Sequence, residues 1–506
     1  MFCSVNSAGL RGLEGYLVQA ECFVDRGMFE LAIIGLPDAS VSEAQGRIQA
    51  VRANCGLPFK NGRTTISLAP ADVKKSGSVH DLAMLVALLK FTLLEPCDLS
   101  GACFVGELSL NGCLRPCRGA LSMALAAKEA GLTQLYLPAE NAAEAAMVEG
   151  IRVYGVSDVP ALIGHLRGSQ PLAPAQFDPS TVQANGHLSV DFAHVKGQET
   201  VKRAVEIAAA GGHNLLMIGP PGSGKSMISK AIPGILPRMS FDQMLETTKI
   251  HSVCGMLTQG VVDTRPFRSP HHTMSFVGLA GGGAVPMPGE ISLCHNGVLF
   301  LDELPEFDKR SLEVLRQPLE DKCITITRAA GKVTFPADFM LVCAMNPCPC
   351  GYFGSDQRRC SCSPQAVKKY LSKISGPLLD RIDIQVEVPS VPFHQLSDSR
   401  PAESSAQVRQ RVERARAIAA QRYKEHGIAC NGGLDGTLTK QYCQCSSQAS
   451  RVLEEAFTSL DLSARGYDRL LRVSRTIADL EESEYIEEEH ILEAVQLRSL
   501  DRKYFE

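Results

Sequence analysis

The chain has 506 residues, 45% of them apolar and 21% charged, which excludes a mostly disordered protein and allows about three domains of ordinary size. Its 51 Lys and Arg against 55 Asp and Glu give a formal charge of −4, which excludes a generally basic nucleic-acid coat but not a local basic channel. The 18 cysteines are too thinly spread for a small disulfide scaffold; Cys22, Cys55, Cys103, Cys254 and Cys343 read as small core hydrophobes of a reducing compartment.

Residues 1–10 carry neither a basic n-region nor an apolar h-region, and no run of about 18 apolar residues follows anywhere. The expectation is a cytoplasmic protein without a membrane span. Residues 1–168 alternate strand-like runs (31–35, 65–69, 106–110, 135–137) with helical ones (41–54, 82–91, 120–130), an α/β pattern. Residues 169–190 are Pro-, Ala- and Gln-rich and aperiodic, as a linker would be. A second α/β pattern with Gly- and Pro-containing loops runs over 191–392. From 393 to 506 the pattern becomes helical, most clearly at 407–426, 447–459 and 467–481.

The apolar run at 214–218 suits a buried parallel strand. Gly219-Pro220-Pro221-Gly222-Ser223-Gly224-Lys225-Ser226 follows it and opens a helix, matching G-x-x-x-x-G-K-[ST] in the strand–loop–helix setting it requires. The glycines let backbone N–H groups turn inward on phosphate oxygens, and the helix N-terminus adds partial positive charge. The pattern assigns Lys225 to the β/γ-phosphates of ATP and the Ser226 hydroxyl to Mg²⁺. A second apolar run at 297–301 ends in Asp302 and Glu303. Beside a phosphate loop, two carboxylates at a strand end suit a Mg²⁺ ligand, Asp302, and a base for the attacking water, Glu303. A third run at 341–345 ends in Asn346, by itself a turn residue before Pro347, but at a strand end an amide that can orient that water. His271 and His272 read as buried, hydrogen-bonded loop histidines.

Cys348-Pro-Cys350 and Cys360-Ser-Cys362 form C-x-C…C-x-C with nine residues between the pairs. Four thiolates on one short loop suit a structural Zn²⁺. Arg358 and Arg359 lie inside that loop and are candidate DNA contacts. Residues 323–335 alternate in period two around a Gly-containing turn, as a hairpin does, with Arg328 and Lys332 near its tip. The helical run 407–426 carries Arg409, Arg411, Arg414, Arg416, Arg422 and Lys424, either further phosphate contacts or a solvated helix face.

The wording of several segments is more specific. Val195-Lys-Gly-Gln-Glu199, Arg265-Pro-Phe-Arg-Ser-Pro-His-His272, Pro288-Gly-Glu-Ile-Ser-Leu293, Leu315-Arg-Gln-Pro-Leu-Glu320 and Asn346-Pro-Cys-Pro-Cys-Gly351 resemble the magnesium-chelatase-like ComM/YifB family of AAA+ ATPases over essentially the whole chain. The resemblance implies an AAA+ P-loop core, a parallel sheet with helices on both faces, at 191–392. The cysteine loop 348–362 is inserted in that core, and a helical lid follows at 393–506. It implies a homo-hexamer, promoted by ATP or DNA, that acts on single-stranded or branched DNA as a helicase in branch migration during natural transformation. Within that clade the 323–335 hairpin projects into the ring pore, where Arg328 and Lys332 meet DNA phosphates. Ser375-Gly-Pro-Leu-Leu-Asp-Arg381-Ile-Asp383 resembles the arginine-finger segment, so Arg381 is expected to enter a neighbour's ATP site. Arg465 is the sensor-2 choice, with Arg469 in reserve.

Residues 1–168 resemble a Lon-protease-like fold. The nucleophile position falls near Val79 and the lysine position at Leu121, with Ser76, Ser78 and Ser122 close by, so the domain is expected to be proteolytically inactive. The rival readings are a chelatase-like motor subunit remodelling a protein partner and a Lon-like unfoldase.

Overall fold

The structure is a computed structural model that describes residues 1–35, 38–75, 77–95, 97–178, 190–257, 260–328, 331–354, 358–392 and 402–505. The chain divides into two compact units, residues 1–185 with 240–263, and residues 186–239 with 264–506.

The N-terminal unit is built on a seven-stranded sheet of β1 (Phe2–Arg11), β2 (Glu14–Val24), β3 (Glu30–Ile34), β4 (Arg63–Ala69), β5 (Ala102–Phe104), β6 (Gln134–Pro138) and β7 (Arg152–Val156), in the order β3-β4-β2-β1-β5-β6-β7. β1–β2 and β2–β4 pair antiparallel, the remaining neighbours parallel. Helices α1 (Ala44–Asn54), α2 (Asp81–Leu89) and α3 (Ala120–Glu129) bury their apolar faces in this unit. Every residue of α2 is buried, the apolar run 82–89 outright and Asp81 on the guanidinium of Arg47 at 2.6 Å.

Two expectations about boundaries change here. The helix Phe241–Cys254, expected in the motor core at 191–392, belongs to the N-terminal unit, where its Ser252 hydroxyl bonds the buried Glu144 carboxylate. The described part of the expected linker is not free chain. The Leu172 amide bonds His165 Nδ1 at 2.9 Å, the Ala175 amide bonds the Val153 carbonyl at 2.8 Å, and the Phe177 ring packs 5.9 Å from Phe241. Apolar side chains at 172 and 177 give this stretch something to bury. Residues 179–189 of the linker lie outside the described residues.

The second unit holds a five-stranded parallel sheet of β8 (Leu215–Ile218), β9 (Phe267–Arg268), β10 (Val298–Leu301), β13 (Met340–Met345) and β14 (Ile384–Glu387), in the order β9-β10-β13-β8-β14. Between β10 and β13 in sequence, β11 (Cys323–Arg328) and β12 (Gly331–Pro336) form an antiparallel hairpin. All residues of β8 and β13 are buried, as strands covered on both faces must be. Helices α4 (Glu199–Gly211) and α5 (Lys225–Ile235) pack with this sheet. So do the lid helices α6 (Ser405–Arg422), α7 (Ser447–Ser459), α8 (Ala464–Leu480) and α9 (Glu488–Gln496). Ser404 and Gln407 start α6 with a capping box, and the Ser463 hydroxyl caps α8 on the Gly466 amide. Leu215, Val342 and Val386 of the sheet share one hydrophobic core with Val412, Leu453, Leu470, Ile477 and Ile491 of the lid. That shared core is why the sheet and the C-terminal helices form one compact unit.

Candidate active site

Three adjacent parallel strands, β10-β13-β8, end at the same edge of the sheet, and each delivers one part of the site. β8 runs into the phosphate loop, β10 into Asp302 and Glu303, and β13 into Asn346. The register Leu301↔Cys343 and Ile218↔Met345, with the Gly219 amide on the Met345 carbonyl at 3.2 Å, brings these ends level. Gly222 and Gly224 adopt φ of +74° and +91°, the left-handed region that side chains rarely enter, so the loop needs glycine at both positions.

Lys225 is only 8% exposed, and its ammonium donates to the carbonyls of Gly219 at 2.8 Å and Pro220 at 2.9 Å, with Ser223 Oγ and Asn346 Oδ1 each at 3.4 Å. Burial pulls its pKa below the usual lysine value, with Asp302 opposing. The Ser226 hydroxyl donates to Asp302 Oδ2 at 2.8 Å, and Asp302 Oδ1 accepts the Glu303 amide at 2.9 Å. Neighbouring oxygens around an octahedral Mg²⁺ lie about 2.9 Å apart, since Mg–O bonds are about 2.0–2.1 Å. Ser226 and Asp302 therefore already have the spacing of two Mg²⁺ ligands.

Glu303 takes a left-handed backbone conformation, φ +53°, and its Oε2 lies 3.3 Å from His272 Nδ1. Neither histidine of the 271–272 pair is buried, contrary to expectation. His271 is exposed and bonds Thr273 Oγ1 at 2.8 Å, and the half-exposed His272 turns to the carboxylate. The sequence signal for His272 was its position shortly after β9, at the edge where the other strands deliver their polar residues.

The Arg381 guanidinium is paired with Glu320 and donates to the Pro377 carbonyl at 2.5 Å. It joins none of Lys225, Asp302 and Glu303. Arg465 is exposed on the first turn of α8. Arg469, one turn on, is buried, 3.8 Å from Asp383 and 4.0 Å from Asp380, and burial lowers it to about 10 against the pull of Asp383. Burial works to raise Asp383 itself, but His213, Arg472 and Arg469 hold it well below the usual carboxylate range.

Cys348, Cys350, Cys360 and Cys362 converge, with their sulfurs all within 4.8 Å of one another. Sulfur–sulfur distances of 3.3, 3.7 and 3.6 Å link the first three. A tetrahedron of Zn–S bonds of about 2.3 Å has edges of about 3.8 Å. The donor set and its spacing therefore fit zinc. Burial disfavours the Cys350 thiolate, yet the Ser361 and Tyr352 amides and the adjacent thiols draw it down to about 5. Arg358 and Arg359 are exposed, and Arg358 lies over the Tyr352 ring at 4.8 Å. Residues 355–357 of the insert lie outside the described residues.

Arg328 and Lys332 are exposed near the end of the β11–β12 hairpin, whose turn, residues 329–330, lies outside the described residues. Sequence reasoning missed a second, glycine-rich hairpin, Gly281–Gly282 with Met287–Pro288. A Cβ on Gly282 would sit 3.1 Å from the Arg328 guanidinium, and Val285 in the turn is 69% exposed. The arginines of α6 are engaged within the unit. Arg411 pairs with Glu206 and Glu403, Arg422 with Asp479, and Arg414 with Glu482. Arg416 donates to the Ala209 carbonyl at 2.9 Å and Arg409 to Gly234 at 3.4 Å. Arg409, Arg411 and Arg416 tie α6 to the core segment 199–235, Arg414 and Arg422 tie it to α8 and the residues just after it, and the five do not form a free basic face.

In the N-terminal unit, the Ser78 hydroxyl bonds the Glu107 carboxylate and Ser122 bonds the Leu13 carbonyl at 2.6 Å. Neither serine is bonded to a lysine, and Ser76 lies outside the described residues.

Family models for the magnesium chelatase subunit ChlI match residues 191–396, its C-terminal region 402–498, and a further ChlI segment 20–141. YifB of Escherichia coli is 40% identical over 501 residues, covering 98% of this chain and 97% of that protein. The competence protein ComM of Haemophilus influenzae is 39% identical over 503 residues, again 98% and 97%. The chain belongs to the ComM/YifB family of magnesium-chelatase-like AAA+ proteins. A more distant likeness, 27% over 171 residues, links 34% of this ComM/YifB chain to 18% of a DNA replication licensing factor of Caenorhabditis briggsae. No helix among the described residues is long and apolar enough to cross a membrane.

Proposed function

We propose that this ComM/YifB chain is an ATP-hydrolysing AAA+ motor that works on single-stranded or branched DNA, with helicase and branch-migration activity in recombination during natural transformation, in the cytoplasm. The observation that carries the reading is the convergence of Lys225, Ser226, Asp302, Glu303 and Asn346 at one sheet edge while Arg381 stands apart on Glu320. An arginine finger can be supplied in trans, and an arginine that stands apart from its own subunit's site favours a head-to-tail ring, which the family resemblance makes a hexamer.

In this reading the amides and Lys225 of 219–226 bind ATP, Ser226 and Asp302 hold Mg²⁺, Glu303 takes a proton from the attacking water, and Asn346 keeps that water in line. The bound Mg²⁺ supplies neutralisation of charge on the phosphate oxygens. Arg381 of the adjacent subunit stabilises the transferred phosphoryl group, and an α8 arginine, Arg465 or Arg469, senses the nucleotide. Arg328 and Lys332, with Arg358 and Arg359, contact DNA phosphates. The Cys348–Cys350–Cys360–Cys362 cluster binds structural zinc. The Lon-like unit is proteolytically inactive and serves assembly or substrate binding. Support for DNA as the substrate comes from the ComM relative, whose name is competence protein, and from the distant replication factor.

The family models are described as magnesium chelatase subunits, which favours a second reading, a motor that remodels a protein partner. ATPase rates with and without single-stranded, forked and four-way DNA separate the two, with Lys225→Ala as control. DNA stimulation and unwinding of the forked substrate are expected. A rate indifferent to every DNA, raised only by a partner protein, would overturn the DNA reading.

A further inference from the structure

Asn214 immediately precedes β8, the strand that carries the phosphate loop, and both ends of its side chain are used on backbone groups, one in β13 and one in the turn before β14. Nδ2 donates to the Arg381 carbonyl at 2.8 Å, and Oδ1 accepts the Leu341 amide at 2.9 Å. Its own amide lies 3.3 Å from Asp383 Oδ2, and its carbonyl accepts the Asp383 and Ile384 amides at 3.1 and 3.0 Å. Leu341 belongs to β13, which ends at Asn346, and Arg381 and Asp383 lead into β14. One carboxamide thus ties together the beginnings of the strands that supply the phosphate loop, the water-orienting asparagine and the arginine.

A second layer stands behind it. The buried His213 places Nε2 2.8 Å from Thr476 Oγ1 of α8 and Nδ1 3.4 Å from Asp383 Oδ2, and Arg469 of the same helix faces Asp383 at 3.8 Å. A buried polar cluster of this kind is costly unless its bonds are made. The bonds made by Asn214 and by His213 Nε2, with the charges of Asp383 and Arg469 close by, restrict the backbone to one arrangement. The Arg381 side chain leaves that backbone two residues before Asp383.

We propose that Asn214, backed by His213 and Asp383, is a positioning residue for Arg381. It fixes the backbone from which the finger reaches a neighbouring subunit to the strand that carries the same subunit's own phosphate loop. The inference rests on the reading of Arg381 as a finger acting in trans. Aspartate at 214 keeps the acceptor for Leu341 but replaces the donor to Arg381 with a second oxygen facing its carbonyl, so the error is directed at the arginine segment. Misplacement of a reacting group by about 1 Å costs on the order of 10²-fold in rate.

The test uses the full chain and its ATPase. Asn214→Asp is expected to lower kcat by about 10–100-fold while the Kd for ATP stays within about twofold of wild type. It is then mixed with Glu303→Gln, which cannot hydrolyse ATP but keeps an intact arginine segment. Turnover in the mixture should exceed the sum of the separate activities, because Glu303→Gln subunits lend their Arg381 to the sound hydrolytic sites of Asn214→Asp. Arg381→Ala, treated the same way, is the reference. If Asn214→Asp is too unstable to purify, Asn214→Ser, which keeps a single donor, takes its place. Wild-type turnover by the Asn214 variant would overturn the proposal, and so would a loss that Glu303→Gln does not recover while it does recover Arg381→Ala. Wild-type turnover by Arg381→Ala itself would instead refute the finger reading, and the positioning role with it.

Discussion

His272 Nδ1 lies 3.3 Å from Glu303 Oε2, so the carboxylate proposed to take a proton from the attacking water is held by an imidazole from a neighbouring strand end. Glu303 is about half exposed, and its backbone already sits at φ +53°. A half-exposed pair of this kind contributes up to about 1 kcal/mol, a factor of about five in the population of the held carboxylate. His272→Ala is therefore expected to raise the DNA-independent ATPase rate two- to fivefold and to shrink the DNA-stimulated increment, with ATP affinity unchanged. Steady-state rates with and without single-stranded DNA check this. A lower basal rate would mean that His272 assists Glu303 and does not restrain it.

Arg381 in this chain is committed to Glu320 and the Pro377 carbonyl. An arginine finger contributes about 10³–10⁵-fold in rate, so Arg381→Ala is expected to abolish turnover at the level of about 10³-fold or more while leaving ATP binding intact. Glu320 is half exposed, and its loss should cost less than about 1 kcal/mol in stability. Glu320→Ala frees the guanidinium, so ring assembly should occur at lower protein concentration. Analytical ultracentrifugation with ATP, beside single-turnover hydrolysis, measures both. An Arg381→Ala protein that assembles and hydrolyses like wild type removes the finger role.

The meeting of Lys225, Asp302, Glu303 and Asn346 at one sheet edge was legible in the sequence because its parts are local: an apolar run, then a polar residue at the strand end, three times over. The register of β10, β13 and β8 did the rest. What escaped was set by partners far away in the chain. The α6 arginines read as a basic face, yet their acceptors, Glu206, Glu403 and Asp479, come from other segments. The β1–β2 hairpin was missed because Ser4, Asn6, Ser7 and Gly9 break the apolar alternation of β1. Ser7 is nonetheless buried, since its hydroxyl has a partner in His80. The helix Phe241–Cys254 lies between core segments in sequence, and its partners in the N-terminal unit, Glu144 for Ser252, Glu14 for Lys249 and Phe177 for Phe241, are all remote in the chain.

The four-cysteine cluster should carry about one Zn²⁺ per chain. Cys360→Ser with Cys362→Ser leaves two thiols, too few for a structural site, and should lose the metal and expose the segment after Asn346 to protease. Metal analysis by mass spectrometry and limited proteolysis give the result. Protein purified without metal, with four freely alkylated thiols at these positions, would sink the assignment.

The last prediction concerns pH and the N-terminal unit. His80 is fully buried, with Ser7 Oγ 2.9 Å from its Nδ1. Burial, with Lys75 adding like charge and Asp38 opposing, lowers its pKa from 6.5 to about 4. The folded state therefore disfavours the imidazolium. The stability due to neutral His80 is fully present above its unfolded value and is lost as pH falls from about 6.5 towards 4. Such a shift corresponds to about 3 kcal/mol at most, at about 1.4 kcal/mol per pKa unit. Amide hydrogen exchange in α2, which begins at Asp81, should speed up between pH 6.5 and 4 beyond the intrinsic pH dependence of exchange. In His80→Phe, which has nothing to protonate, that extra acceleration should vanish, at the cost of about 1 kcal/mol for the lost Ser7 bond. The same acceleration in His80→Phe would place the acid-sensitive group elsewhere in the unit.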